Sequence, residues 1–149
     1  MSASGFGVDR LPHRPPMRLV ERLVELVDGQ SACGVRVAHP GDWYFDGHFP
    51  DDPVVPAIVL IELLAQTGGL AAMSGAAGDR QPALRVAAVG PFKFPGAARP
   101  GETLEARARV AGRVGAMIKI EGEVLADGRC VAVGGVTLAD VSAVREPPG

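Results

Sequence analysis

The chain has too few cysteines, too even a charge balance and too few recognisable ligand motifs for several common enzyme classes. Its 149 residues include two cysteines, Cys33 and Cys130. They form no CxxC pair and no disulfide framework, so two reduced thiols in a cytoplasmic protein are expected. Against 17 Asp+Glu stand 15 Lys+Arg, a net charge of -2. No global basic field exists to attract nucleic acid or an anionic membrane. There is no P-loop, GxGxxG, GxSxG or metal-ligand cluster. This speaks against a nucleotide enzyme, a serine hydrolase and a metalloenzyme. Residues 1–10 lack a basic stretch followed by an apolar run, so no secretory signal is expected. The longest apolar stretch, residues 54–73, is interrupted by Glu62, Gln66 and Thr67. It suits a helix buried in protein better than a membrane span.

What is present describes an ordinary globular chain. Apolar residues make up 47% and charged residues 21%, enough for one domain with a real core. The ends, residues 1–10 and 142–149, are expected to be flexible. Residues 11–16, with prolines at 12, 15 and 16, form a stiff extended lead-in. Residues 17–27 could hold helical turns or a first strand. Residues 31–38 read as a strand.

Residues 42–55 are unusual. They hold the only Trp and the only Tyr, together with Phe45, Gly47, His48, Phe49, Pro50 and Pro53. From Pro56 apolar residues recur at helical spacing, and Pro56 sits where a missing N–H costs nothing. The second half alternates as strands, clearest over residues 104–110, and Asp127-Gly128 is a hairpin signal. One long apolar helix followed by antiparallel strands makes an α+β fold in which a sheet wraps a helix.

Two side chains in these segments could do acid–base chemistry. Glu62 lies in a nearly wholly apolar helix, where desolvation would raise its pKa and suit it as a general acid. Equally, it could lie on a wet helix edge, capped by Gln66 at i+4. His48, fixed between Gly47 and Phe49-Pro50, could serve as a base, or be a structural loop histidine. His13 reads as structural and His39 as a surface residue. The free N–H groups near Ala57 and Ile58, at the positive end of the helix, could stabilise an oxyanion on a thioester carbonyl.

The run Gly47-His48-Phe49-Pro50-Asp51-Asp52-Pro53-Val54-Val55-Pro56-Ala57, continuing to Ile61-Glu62-Leu63-Leu64-Ala65-Gln66, resembles the signature of the β-hydroxyacyl-acyl-carrier-protein dehydratases. Leu11-Pro12-His13-Arg14 and Lys93-Phe94…Pro100-Gly101-Glu102-Thr103-Leu104 are similar to two further family segments, so the likeness spans residues 11–140. It implies a hotdog fold and a hydro-lyase acting on a thioester of an acyl carrier protein or coenzyme A, in fatty-acid or polyketide-type assembly. It implies no cofactor and no metal. It also implies a homodimer, often built into a trimer of dimers, with His48 from one subunit and Glu62 from the other in each site. His48 would take the α-proton, Glu62 would protonate the leaving hydroxyl, and the Ala57 N–H would polarise the carbonyl.

Substrate contacts are expected from Phe49, Val55, Pro56, Ile58, Gln66 and Phe94, with the acyl chain running along residues 54–64. Lys93, Arg99 and Arg14 are expected to meet the carrier. The chain departs from the family at Ala57, where Gly is usual, and at Pro95-Gly96, where a basic pair is usual. Both changes favour a specialised substrate. The alternative readings are a hotdog acyl-thioesterase and a non-catalytic subunit that binds acyl carriers.

Overall fold

A computed structural model describes residues 7–75 and 82–143. Strands β1 (Arg22–Val27) and β2 (Ser31–Val37) precede one helix, α1 (Ala57–Ser74). Strands β3 (Leu84–Lys93), β4 (Thr103–Val114), β5 (Met117–Ala126) and β6 (Arg129–Asp140) follow it. The six strands form one antiparallel sheet in the order β1-β2-β4-β5-β6-β3. The expected α+β architecture is therefore observed, and residues 17–27 resolve as a strand only from Arg22.

Local chemistry accounts for the elements. In β4, Leu104, Ala106 and Ala108 are buried while Arg107 and Arg109 are exposed, the period of a half-covered strand. Asp127 and Gly128 both take positive φ, 46° and 87°, as a two-residue hairpin loop requires. They join β5 to β6 with Ala126 opposite Arg129. Pro56 caps the start of α1, and at about 1.5 Å per residue the helix spans roughly 27 Å.

The sheet closes tightly on α1 because glycines remove side chains at the contact. A Cβ on Gly68 would fall 2.4 Å from Ile120 Cγ2, and one on Gly122 would fall 2.9 Å from Leu64 Cδ1. From Val59 onward most of α1 is buried, with Leu63, Leu64 and Leu70 fully enclosed. Helix α1 is long and apolar enough to cross a membrane, but 72% of it is buried inside the protein. It is a core helix.

Short turns flank the described elements. Residues Val8–Arg10 and Val141–Ala143 each form a 3-10 turn. The first is anchored by Leu11, 2% exposed, whose N–H bonds to Val8. The second is held by the Asp140 carboxylate, which accepts from the Ser142 N–H. The remainder of both expected flexible ends lies outside the described residues.

The two outer strands are β1 and β3. In β3 all residues but Leu84 and Phe92 are exposed, Val86 and Val89 among them. Ten residues of largely apolar strand present an unpaired hydrogen-bonding edge, which ordinarily needs a partner.

Candidate active site

His48 sits on the connection from β2 to α1. Tyr44 and Phe45, each 5% exposed, plug this loop into the core. Backbone bonds from Phe45 to Asp42, His48 to Phe45 and Val54 to His48 fold it into successive turns. His48 Nδ1 lies 3.1 Å from the Val54 carbonyl oxygen. A carbonyl only accepts, so Nδ1 carries the proton and Nε2 keeps a lone pair able to take another. Phe49 stacks on the imidazole at 4.2 Å.

Fourteen residues after His48, α1 places Glu62 near its N-terminal end. Its sequence leaves open a desolvated carboxylate or one on a wet helix edge capped by Gln66. Glu62 is half-buried, and its Oε2 accepts a 2.7 Å hydrogen bond from Gln66 Nε2. Gln66 is 2% exposed. Its Nε2 also donates to the Met17 carbonyl, and its Oε1 accepts from the Leu19 N–H, both at 2.8 Å. Gln66, expected to touch substrate, also lines the cavity beside Glu62. Its polar atoms are committed to the protein, and it orients Glu62.

His13 also belongs here, contrary to its reading as structural. Its Nε2 lies 3.7 Å from Glu62 Oε2, and both residues line a cavity of about 240 Å³ that reaches along α1 to Gly69 and Met73. The LPHR segment was the available signal for His13. The sequence offered no cue to its contact 49 residues away.

The cavity runs past Glu62 toward the C-terminal half of α1, bounded by Leu84, Val86 and Leu138. Of the expected path along residues 54–64, Glu62 alone lines this cavity. Val55, 5% exposed, is part of the hydrophobic core, and Pro56 is buried. Phe49 and Ile58 are exposed at 52% and 70%, and Phe94, also exposed, stacks on Phe92. His48 is absent from the cavity's lining.

At the start of α1 the Val59 and Leu60 N–H groups both bond to the Pro56 carbonyl. No side chain caps the helix and no acidic residue occupies its first turn. The Ala57 and Ile58 N–H groups therefore face outward at a positive helix end. Among the described residues only Asp127 is a non-glycine with positive φ. Ala57 is thus in an ordinary conformation, and its backbone does not require glycine.

The three candidate carrier contacts differ. Arg99 is paired with Asp52, and Arg14 donates to the Leu11 and His13 carbonyls. Lys93 is exposed at the end of β3, and among the described residues no partner neutralises it.

Other reactive groups are quiet. Burial, and the Glu105 carboxylate that accepts from its thiol, push Cys33 up to about 12. It is no nucleophile near neutral pH. A larger concavity of about 810 Å³ lies against the strands, among Arg107, Arg109 and Glu121. It contains neither His48 nor Glu62, and in it Arg109 and Lys119 pair with Glu121. It reads as solvated sheet surface.

Comparisons with known proteins agree with one another. Residues 11–134 match the family described as FabA-like domain. The chain is 34% identical over 139 residues to a protein of Herpetosiphon aurantiacus named 3-hydroxyacyl-acyl-carrier-protein dehydratase FabZ, covering 88% of this chain and 92% of that one. A FabZ of the same name from Nitratiruptor is 34% identical over 127 residues, covering 82% and 86%. Among solved structures, the dehydratase heterocomplex ApeI:P from Xenorhabdus doucetiae superposes with a TM-score of 0.73 at 20% identity, covering 90% of each chain. The E. coli PaaI protein of the phenylacetic acid degradation operon gives 0.60 at 16% identity, covering 78% and 80%. These two establish the hotdog fold alone.

Proposed function

From the premise that the chain belongs to the FabA-like domain family, we propose that His48 and Glu62, supplied by two copies of it, are the acid–base pair of a β-hydroxyacyl thioester dehydratase. The reaction is a hydro-lyase step on an acyl-carrier-protein thioester. Neither the thioesterase nor the non-catalytic alternative is favoured. His48 Nε2 removes the α-proton, whose acidity comes from the thioester itself. The Cα–Cβ double bond forms as the Cβ–O bond breaks, and Glu62 gives its proton to the departing hydroxyl. Water leaves, and the His48 proton returns to solvent or to Glu62. The outward N–H of Ala57 receives the negative charge that develops on the carbonyl oxygen. No step needs a cofactor or a metal.

The observation that carries this reading is that the Glu62 cavity is incomplete within one copy. It holds a positioned acid but not His48, and it is bounded by the exposed edge strand β3. A second copy paired along β3 would cover that edge and bring in the missing histidine. The proposed unit is a single-domain, cytoplasmic protein acting as a homodimer. Phe49, Ile58 and Phe94 are left exposed to meet the pantetheine arm. Lys93, with Arg99 and Arg14 nearby in function, is the proposed contact for an acidic carrier.

The test is turnover of a β-hydroxyacyl thioester, followed by appearance of the conjugated enoyl thioester and by chromatography for free acid. Enoyl product without hydrolysis is expected. Hydrolysis without enoyl product would overturn the assignment.

A further inference from the structure

The proposed pair leaves one buried polar group unexplained. His13 Nδ1 is enclosed and has no hydrogen-bond partner, while His13 Nε2 points at Glu62 Oε2 across 3.7 Å. A buried N–H without an acceptor is costly. The proton of a neutral His13 is therefore disfavoured on Nδ1 and sits on Nε2, facing the carboxyl group. The titratable and charged groups that line this cavity are Glu62 from α1, His13 from the N-terminal segment and Arg85 from β3.

Both neighbours of the carboxyl converge on the same oxygen. Gln66 Nε2 donates to Oε2, and the His13 N–H is aimed at Oε2. Oε1 is left over. An oxygen faced by two donors is a poor place for a proton, so the acid proton belongs on Oε1, the atom free to meet substrate. His13 itself is fixed by its own segment. Arg14 Nη1 donates to the Leu11 and His13 carbonyls, and Gln66 ties Met17 and Leu19 to α1.

We propose that His13 is a positioning residue for the general acid: its Nε2–H takes up the charge on Glu62 Oε2 as Oε1 gives its proton to the leaving hydroxyl. At 3.7 Å the contact is longer than a hydrogen bond to a neutral acid. It shortens when the carboxyl becomes a carboxylate, because hydrogen bonds to charged acceptors are shorter and stronger. The contact therefore helps the transition state more than the bound substrate, and its loss falls on kcat rather than KM. This rests on the assignment of Glu62 as the acid.

The experiment is a double-mutant cycle read by steady-state kinetics, with melting curves as a folding check. His13→Leu, which fills the space without an N–H, should lower kcat roughly tenfold and leave KM within about twofold, the scale of one hydrogen bond to a charged group. His13→Asn, whose amide is too short to reach Oε2, should behave the same and stands in if the leucine variant folds poorly. His13→Gln, with an amide N–H near the position of Nε2, should restore most of kcat. In a Glu62→Gln background, His13→Leu should cost little more, since its effect passes through Glu62. An equal loss in both backgrounds, a loss confined to KM, or no loss at all would overturn the role of His13. High activity of Glu62→Gln alone would instead overturn the assignment of Glu62, a separately visible result.

Discussion

The two proposed reacting groups are held in opposite ways. Glu62 rides on a buried helix, and its orientation comes from residues far away in the chain. Gln66 bonds to it and reaches Met17 and Leu19, 49 and 47 positions distant. His48 is held locally by the Val54 carbonyl six residues on, and by its neighbour Phe49. The acid is thus built into the core and the base into a loop. A group locked by long-range bonds cannot be disturbed without loosening the fold. One fixed by its own loop can be disturbed almost alone.

Direct removal of either group should have the largest effect and should not distinguish the two halves. Glu62→Gln and His48→Ala should each lower kcat at least about a hundredfold, the scale of an acid–base group, while keeping a cooperative melt. Near-normal turnover in either variant would remove it from the mechanism.

The supporting residues should separate the halves. Gln66→Leu leaves the buried Leu19 N–H and Met17 carbonyl unpaired. It should cost about 2–4 kcal/mol in urea denaturation and lower activity as well. Phe49→Ala removes only the stacked face of His48, which is exposed. A few-fold loss of kcat with a melting temperature near that of the parent is expected. If Gln66→Leu kept full stability, or Phe49→Ala unfolded the protein, the contrast between a core-held acid and a loop-held base would fail.

The smallest expected effect concerns the floor beneath the base. Val55 donates to the Ala98 carbonyl, and Arg129 bonds both Ala97 and Glu102. The Arg129 guanidinium beside Glu102 holds its carboxyl below the usual carboxylate range. A depressed folded-state value adds stability above the unfolded value, and that stability is lost as pH falls through the folded one. The melting temperature should therefore decline on acidification below about pH 4.5. Glu102→Gln should soften that decline slightly and leave the melt near neutral pH only a little lower. A steeper acid decline in Glu102→Gln would reverse the sign of the argument.

Legibility in the sequence follows the same division. The local half could be read: Gly47-His48-Phe49-Pro50 fixes a loop, Pro56 opens a helix, and Asp127-Gly128 turns a hairpin, all through chemistry between neighbours. The long-range half could not. The spacing of Gln66 to Glu62 was visible, and its bonds to Met17 and Leu19 were not. His13 looked structural for the same reason. Val55 read as apolar, but hydrophobicity does not say which surface a side chain meets, and it packs in the core. The strands of the sheet were legible by alternation, but its order, with β3 at an edge, depends on pairings between distant segments.

That acid and base come from different copies is tested most directly by mixing two inactive variants. His48→Ala and Glu62→Gln proteins, each inactive alone, are combined, partly unfolded to exchange subunits, refolded and assayed. With the site shared across a dimer, half of the dimers are mixed and each carries one intact site. Activity should then return to about a quarter of the parent's. Were both residues of a site drawn from one chain, every site in the mixture would carry a substitution. Activity would stay at the level of the separate variants and contradict the shared site.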